Sequence, residues 1–172
     1  NGAPGPVRQV HATPDLDADT CALMRARVPQ RLLLLGDPQG DGPVKVVLAD
    51  HELPTLDELV ERLAQARPRP VAVHCVTRVA LVLLLAALDV VGRHPGDRVE
   101  HAGVVPPELA ADLPLCVTQP AMACARGDGY LRDVAAEDRP HLYPYGDLLA
   151  RGVPVVPSSD APYGPVDPWQ VL

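Results

Sequence analysis

Seven short apolar segments, most of them separated by stretches with helical spacing, constrain the fold of this chain more than any other feature. The segment RLLLL at residues 31–35 is a continuous apolar run that ends at Gly36, as expected for a strand buried on both faces. Alternation of such strands with helices is typical of βαβ units and therefore of a parallel sheet. The predicted strands are residues 7–10, 31–35, 44–48, 71–75, 98–101, 115–118 and 153–157.

Helical patterns occupy most of the intervening stretches. Thr55 begins a T-x-x-E motif with Glu58, which predicts a capping box, and apolar residues at the spacing of one helix face follow it. Residues 36–42 are the exception, because this Gly-rich connection is too short for an ordinary crossover helix. The other predicted helices are residues 18–28, 78–91, 108–113 and 145–151, the last of them ended by Gly152. The sequence thus predicts an α/β fold.

Composition narrows the class of protein. A chain of 172 residues fits one domain or part of one, whereas a complete TIM barrel takes roughly 250 residues. The net charge of -7 and the lack of a Lys/Arg cluster argue against a nucleic-acid surface. The longest apolar run, residues 79–88, is far shorter than the ~20 residues of a membrane span. We expect a protein that acts on a small-molecule substrate, with no nucleic-acid or membrane partner and with its oligomeric state open.

The cysteines and the absence of a signal-peptide pattern bear on the compartment. The four cysteines form no C-x-x-C pair and are too sparse for a disulfide framework. No basic segment followed by an apolar stretch opens the chain. Both observations favour reduced thiols, so the expected location is the cytoplasm.

Four residues of metal-binding or proton-carrying type stand on or just after predicted strands: Lys45, His74, His101 and Asp160. A buried lysine among valines is costly, and the carboxyl ends of parallel strands in a barrel meet at one face. Imidazole and carboxylate suit zinc and similar ions, so one explanation is the metal site of a barrel-type hydrolase. Each residue also has a structural alternative. Lys45 could extend to solvent at a strand end, the histidines could be core residues, and Asp160 could cap a turn.

The segments that carry these residues resemble amidohydrolase family 3 of the amidohydrolase superfamily, which includes the N-substituted formamide deformylases. The similar motifs are GPVK, VHCVTR, EHAG and SSDAP, together with VTQP and YGDLLARGVPV. The resemblance implies a partial TIM (β/α)8 barrel, approximately strands two to eight. It also implies that Lys45, His74, His101 and Asp160 are the ligands of one or two divalent metal ions. The expected ion is zinc, and the lysine is often carboxylated in this family.

The same resemblance implies a hydrolase acting on the C–N bond of an amide, a formamide or a related acyl substrate. Metal-activated water would be the nucleophile, and Asp160 would be the catalytic proton carrier. A lysine ammonium cannot bind a cation, but its neutral amine can take up carbon dioxide to give a carbamate with two oxygens. Arg78 and Gln119 are the predicted substrate-binding residues, although an exposed helix-start arginine and a loop amide would explain them equally well.

One element of the family is missing from the sequence. In the family, strand one carries a His-x-His pair, and these 172 residues contain none. We therefore interpret residues 1–172 as an incomplete barrel domain, an internal fragment lacking strand one and the flanking β-sandwich, and expect it to be inactive alone. Two alternatives stay open: a non-catalytic truncated or degenerate barrel fragment without a competent metal site, and a hydrolase of the same superfamily acting on another bond, such as a deaminase or lactamase.

Overall fold

A computed structural model describes residues 8–12, 16–29, 31–165, 167, 169 and 171. Strands and helices alternate along most of it, as predicted. The strands are β1 (Arg8–Ala12), β2 (Arg31–Leu35), β3 (Val44–Val47), β4 (Val71–Cys75), β5 (Arg98–His101), β6 (Leu115–Thr118) and β7 (Val155–Pro157). The helices are α1 (Ala18–Arg27), α2 (Leu56–Ala66), α3 (Arg78–Val91), α4 (Pro120–Asp133) and α5 (Tyr145–Ala150), with short 3-10 helices at Ala110–Asp112 and Arg139–His141.

The strands form two parallel sheets. Strands β3 to β7 lie side by side in chain order in one five-stranded sheet, while β1 pairs only with β2. The predicted α/β class and parallel pairing are confirmed. Between β2 and β3, where no crossover helix fits, the Arg69 side chain donates hydrogen bonds to the Gly42 and Asp37 carbonyl oxygens at 2.9 and 3.0 Å. Of the first predicted strand, residue 7 lies outside the described residues.

The predicted helix signals at two positions are confirmed. The Thr55 Oγ1 accepts a hydrogen bond from the Glu58 amide at 3.3 Å, and the Glu58 carboxylate accepts one from the Thr55 amide at 2.8 Å. At the other end of the chain, Gly152 has φ +75°, the left-handed conformation that ends α5. The turn after it delays β7 until Val155, because the Val153 amide still donates to the Leu148 carbonyl oxygen.

The sequence prediction was wrong in omitting α4. This helix contains Gly127 and Gly129, which disfavour a helix interior, and Met122 is its one buried residue. It therefore lacks the apolar stripe by which a helix is recognised in a sequence. Pro120 at its first turn is the one favourable local signal, since proline lacks only an amide that would be unpaired there.

The main core lies between one face of the five-stranded sheet and the helices. It is aliphatic, as the absence of phenylalanine requires. Its fully buried side chains come from the strands and from α2 and α3: Val46, Val71, Val73, Cys75, Val99, Cys116, Leu59, Leu63, Leu81, Leu84 and Leu88. No helix of the described residues is long and apolar enough to cross a membrane. The alternating strand residues face the opposite side of the sheet, and that side carries the charged groups.

Candidate metal centre

Strand register places a lysine, a histidine and a glutamate on the face of the sheet away from the helices. Val47 of β3 is opposite His74 of β4, which is opposite Glu100 of β5. Because residues in register across a sheet share a face, and Lys45 lies two residues before Val47, the three polar side chains share this face. Lys45 is 8% exposed and Glu100 is 7% exposed. Two strongly polar groups are thus held in a largely dry environment.

His101 reaches the same region by a different route. In register it is opposite Cys75, whose side chain is in the helix-side core, so strand alternation alone would direct His101 there too. Instead, His101 has φ +74° and Ala102 has φ +47°, a left-handed bend at the end of β5. The His101 imidazole then packs edge-on against that of His74, with ring centroids 4.3 Å apart. The bend brings the two predicted histidine ligands together.

The environment favours neutral imidazoles. Burial, together with the neighbouring His101 and Lys45, lowers the pKa of His74 to about 4, against the opposing charge of Asp50. Burial also lowers the pKa of His101, against the opposing influence of the Asp160 carboxylate. Both rings are therefore unprotonated at neutral pH, which is the form that binds a metal ion.

Lys45 is shifted in the same direction. Burial lowers the pKa of its ammonium group, while the negative charges of Glu100 and Asp160 oppose the shift and the positive charge of Arg98 assists it. The neutral amine is thus more accessible here than at an exposed lysine. This is the form that a carbamate requires.

Gln119 fixes the orientation of His101. Its Oε1 lies 3.0 Å from His101 Nδ1, and its side-chain amide nitrogen points to the Val117 carbonyl oxygen at 3.5 Å. Since the amide nitrogen is turned to a carbonyl, the oxygen faces the imidazole and accepts a hydrogen bond from a protonated Nδ1. His101 Nε2 is then the free acceptor nitrogen, as in histidines that bind metal ions. Gln119 is 2% exposed and sits at the start of α4, the helix that the sequence prediction missed.

Asp160 lies three residues after β7 in a left-handed conformation, with φ +52°. Its amide donates to Ser158 Oγ at 3.4 Å, and its carbonyl oxygen accepts from the Tyr163 amide at 2.8 Å. The carboxylate is close enough to influence the titration of both Lys45 and His101. However, within the described ranges no three His, Cys, Asp or Glu side chains converge closely enough to hold a metal ion.

Arg78 is placed elsewhere. It begins α3, and its guanidinium forms an ion pair with Asp138 and lies 3.5 Å from the Glu137 carbonyl oxygen. The side chain is 34% exposed. Its donors are thus directed to the segment after α4 rather than to the histidine pair.

Several residues near the site were not singled out from the sequence. Glu100 forms an ion pair of 2.6 Å with Arg98, two residues earlier on the same face of β5. Asp50, in the loop after β3, accepts a 2.6 Å hydrogen bond from the Thr77 hydroxyl and lies near enough to affect His74. Strand alternation could have identified Glu100 as a site-facing residue. Asp50 is a loop residue, and no sequence pattern marks it.

Comparisons with known proteins identify the family of this chain. YtcJ of Bacillus subtilis (strain 168), a protein named as an amidohydrolase, is 32% identical over 147 residues. The match covers 80% of this chain and 27% of YtcJ, so the chain spans about a quarter of that relative's length.

Two crystal structures of uncharacterized metal-dependent hydrolases share the fold at 18% identity. The one from Pyrococcus furiosus superposes with a TM-score of 0.70 over 90% of this chain and 45% of its own. The one from Pyrococcus horikoshii OT3 superposes with a TM-score of 0.71 over 89% and 41%. The sequence profile described as the amidohydrolase family matches residues 29–172. This chain therefore belongs to amidohydrolase family 3.

Proposed function

We propose that this chain provides the metal-binding strands of a partial (β/α)8 barrel, corresponding to strands two to eight. The barrel would belong to a metal-dependent hydrolase that cleaves the C–N bond of an amide, a formamide or a related acyl compound. The observation that carries the proposal is the pair of half-buried imidazoles of His74 and His101, whose ring centroids lie 4.3 Å apart, close to the buried Lys45. Family membership supplies the reaction class.

The donor chemistry fits a divalent ion. Two neutral imidazoles, one with its Nδ1 proton held by Gln119, leave ring nitrogens for an ion such as zinc. Lys45 would join them as a carbamate formed from its neutral amine, and Asp160 would be the fourth ligand of the set. Because the described residues do not by themselves complete a coordination shell, one or two ions would need further donors from the rest of the enzyme.

The residues of this chain then have separate tasks. The bound ion would polarise the substrate carbonyl and lower the pKa of water toward ~7. Asp160 would take a proton from that water and deliver it to the nitrogen of the departing amine, so that the acid and the free amine leave as products. Asp160 has a left-handed backbone, which is the kind of local strain found at functional positions.

The test is a substrate panel on the purified full-length protein. N-alkyl and N-aryl formamides, acetamides and lactams would be incubated with protein reconstituted with zinc, and amine release would be measured with fluorescamine. We expect amine release that is abolished by metal removal and reduced ~10²–10⁴-fold in Asp160→Asn, with metal content retained. Asp128→Asn, an exposed aspartate on α4, is the matched control and should match the wild type.

The alternative is a non-catalytic barrel fragment, which is favoured by the lack of a three-residue acid, histidine or cysteine cluster among the described residues. Protein that binds substoichiometric zinc and releases no amine would support it. Release of ammonia instead of an organic amine would redirect the assignment to a deaminase.

A further inference from the structure

Left-handed backbone conformations gather at one end of the sheet. In the described part of the chain, four non-glycine residues have positive φ: His101, Ala102, Asp160 and Tyr143. Such conformations cost free energy and concentrate at functional sites. The first three belong to the candidate metal centre or adjoin it. Tyr143, with φ +42°, is the polar member of the set that the sequence did not predict.

Tyr143 is hydrogen-bonded to the loop that follows the left-handed residues His101 and Ala102. Its amide donates to the Gly103 carbonyl oxygen at 2.9 Å, and its neighbour Leu142 forms an antiparallel bridge with Val104. Gly103 in turn is pressed against the end of β4, since a Cβ there would lie 2.7 Å from the Val76 carbonyl oxygen. The position of Tyr143 is therefore tied to the strand ends that hold both histidines.

A second tyrosine supports the first. The Tyr130 hydroxyl, on α4, lies 3.3 Å from the Tyr143 hydroxyl, with ring centroids 5.6 Å apart. Two hydroxyls that share one hydrogen bond still have a second proton to donate. Burial raises the pKa of Tyr143, and Tyr130 and the Asp160 carboxylate raise it further, so the phenol stays protonated.

A substrate carbonyl oxygen needs a hydrogen-bond donor, and the two residues predicted to bind the substrate have their terminal groups directed elsewhere, although Arg78 Nε has no hydrogen-bond partner among the described residues. Arg78 pairs with Asp138, and Gln119 is used by His101 and by a backbone carbonyl. The Asp160 carboxylate is an acceptor. The phenol of Tyr143 is a neutral donor, and the backbone of this residue is hydrogen-bonded to Gly103, two residues after His101.

Resting on the proposed function, we propose that Tyr143 is a substrate-binding residue whose hydroxyl, positioned by Tyr130, donates a hydrogen bond to the carbonyl oxygen of the acyl substrate. No covalent step is involved. The role predicts a dependence on the carbonyl group that a purely structural tyrosine would not have.

Binding by the metal-free protein provides a test that does not require turnover. Formanilide and its carbonyl-free counterpart N-methylaniline would be titrated by saturation-transfer NMR. We expect the wild type to prefer formanilide, Tyr143→Phe to bind it about tenfold more weakly, and N-methylaniline to bind both equally. Tyr130→Phe should give a smaller loss. Tyr145→Phe, which removes a nearby hydroxyl on α5, is the matched control, and far-UV circular dichroism would check the folding of each variant.

The outcomes separate this inference from the proposed function. Carbonyl-dependent binding lost in Tyr143→Phe supports the inference even if no panel compound is hydrolysed, in which case the proposed function alone fails. If hydrolysis occurs, Tyr143→Phe should lower kcat/KM about 10²-fold with unchanged metal content. Equal affinity of wild type and Tyr143→Phe for formanilide, or no preference of the wild type for formanilide over N-methylaniline, would overturn the inference.

Discussion

Asp97 is the residue whose replacement should destabilise this fold most clearly. Its side chain is 1% exposed and accepts four hydrogen bonds. Oδ1 accepts from Arg67 Nη1 at 2.7 Å and from the Val71 amide at 2.9 Å, while Oδ2 accepts from Arg67 Nη2 and from the His94 amide, both at 2.8 Å. The carboxylate thereby joins the turn after α2, the first residue of β4 and the loop before β5.

The loss of unfolding free energy expected for Asp97→Asn follows from this geometry. Whichever oxygen becomes the amide nitrogen, two donors then face a donor, and the partly buried Arg67 loses its counter-charge. The loss of two hydrogen bonds to a charged group, at about 1.5–3 kcal/mol each, amounts to roughly 3–6 kcal/mol. The usual cost of removing one partner of a buried ion pair is similar, at roughly 3–5 kcal/mol. Because the Arg67 side chain is 20% exposed, water relieves part of this loss, and we expect the lower end of the range.

Urea unfolding followed by far-UV circular dichroism measures this directly. The free energy of unfolding should fall by about 3 kcal/mol for Asp97→Asn with an unchanged m-value. The matched control is Asp89→Asn, which breaks the exposed Arg93–Asp89 pair on α3 and should cost less than about 0.5 kcal/mol. A loss below 1 kcal/mol for Asp97→Asn, or equal losses in the two variants, would refute the reasoning.

The Asp97 carboxylate should also make the free energy of unfolding depend on pH. Burial alone would raise the pKa of Asp97, but the hydrogen bonds from Arg67 and the His94 and Val71 amides outweigh it and hold the pKa below the ordinary 3.8. The unfolded chain then takes up this proton at a higher pH than the folded one. The stabilisation is complete above 3.8 and is lost as the pH falls through the folded value, so the difference between wild type and Asp97→Asn should shrink in acid.

Three further predictions concern the candidate metal centre. Gln119→Leu should weaken zinc binding about 10–100-fold in competition with a chromophoric chelator, because His101 loses the partner of its Nδ1 proton; unchanged affinity would remove Gln119 from this role. Bicarbonate should increase metal uptake by the wild type but not by Lys45→Met, and an equal response in both would exclude a carbamate at Lys45. Since burial lowers the pKa of His74 to about 4, metal-free protein should lose roughly 1–2 kcal/mol, after allowance for solvent screening, as the pH falls from 6.5 toward 4. His74→Asn should lack that loss in urea titrations.

Much of the fold follows from local sequence patterns. The bounds of β2, β4, β6 and α3 agree with the apolar runs from which they were predicted, since buried strands and helices require apolar residues. The bounds of β5 also agree, although Val99 is its one apolar residue. Helix α4 could not be predicted from such patterns, because it contains two glycines and its single buried residue forms no periodic apolar face. Its position is set by tertiary contacts near the site, including that of Gln119 with His101, and these are invisible in the local sequence.

The site residues likewise fall into two groups, those that local sequence patterns could place and those that they could not. Lys45 and His74 could be assigned to one face by strand alternation, because each lies within a regular strand. His101 could not, since alternation assigns it to the face of Cys75. The pairing of Arg78 with Asp138 and of Tyr143 with Tyr130 joins segments that are distant in sequence, so neither could be read from spacing.

This division suggests how the site is built. Regular strands fix the burial of Lys45 and His74. The residues next to them in sequence pack into the apolar core on the other face of the sheet, so changing those residues would disturb the core. His101, Tyr143 and Asp160 instead owe their directions to single left-handed residues at strand ends or in loops. Such a residue redirects a side chain without shifting the register of the strand before it. We infer that the chain keeps its core by using these bends to bring polar side chains to the site.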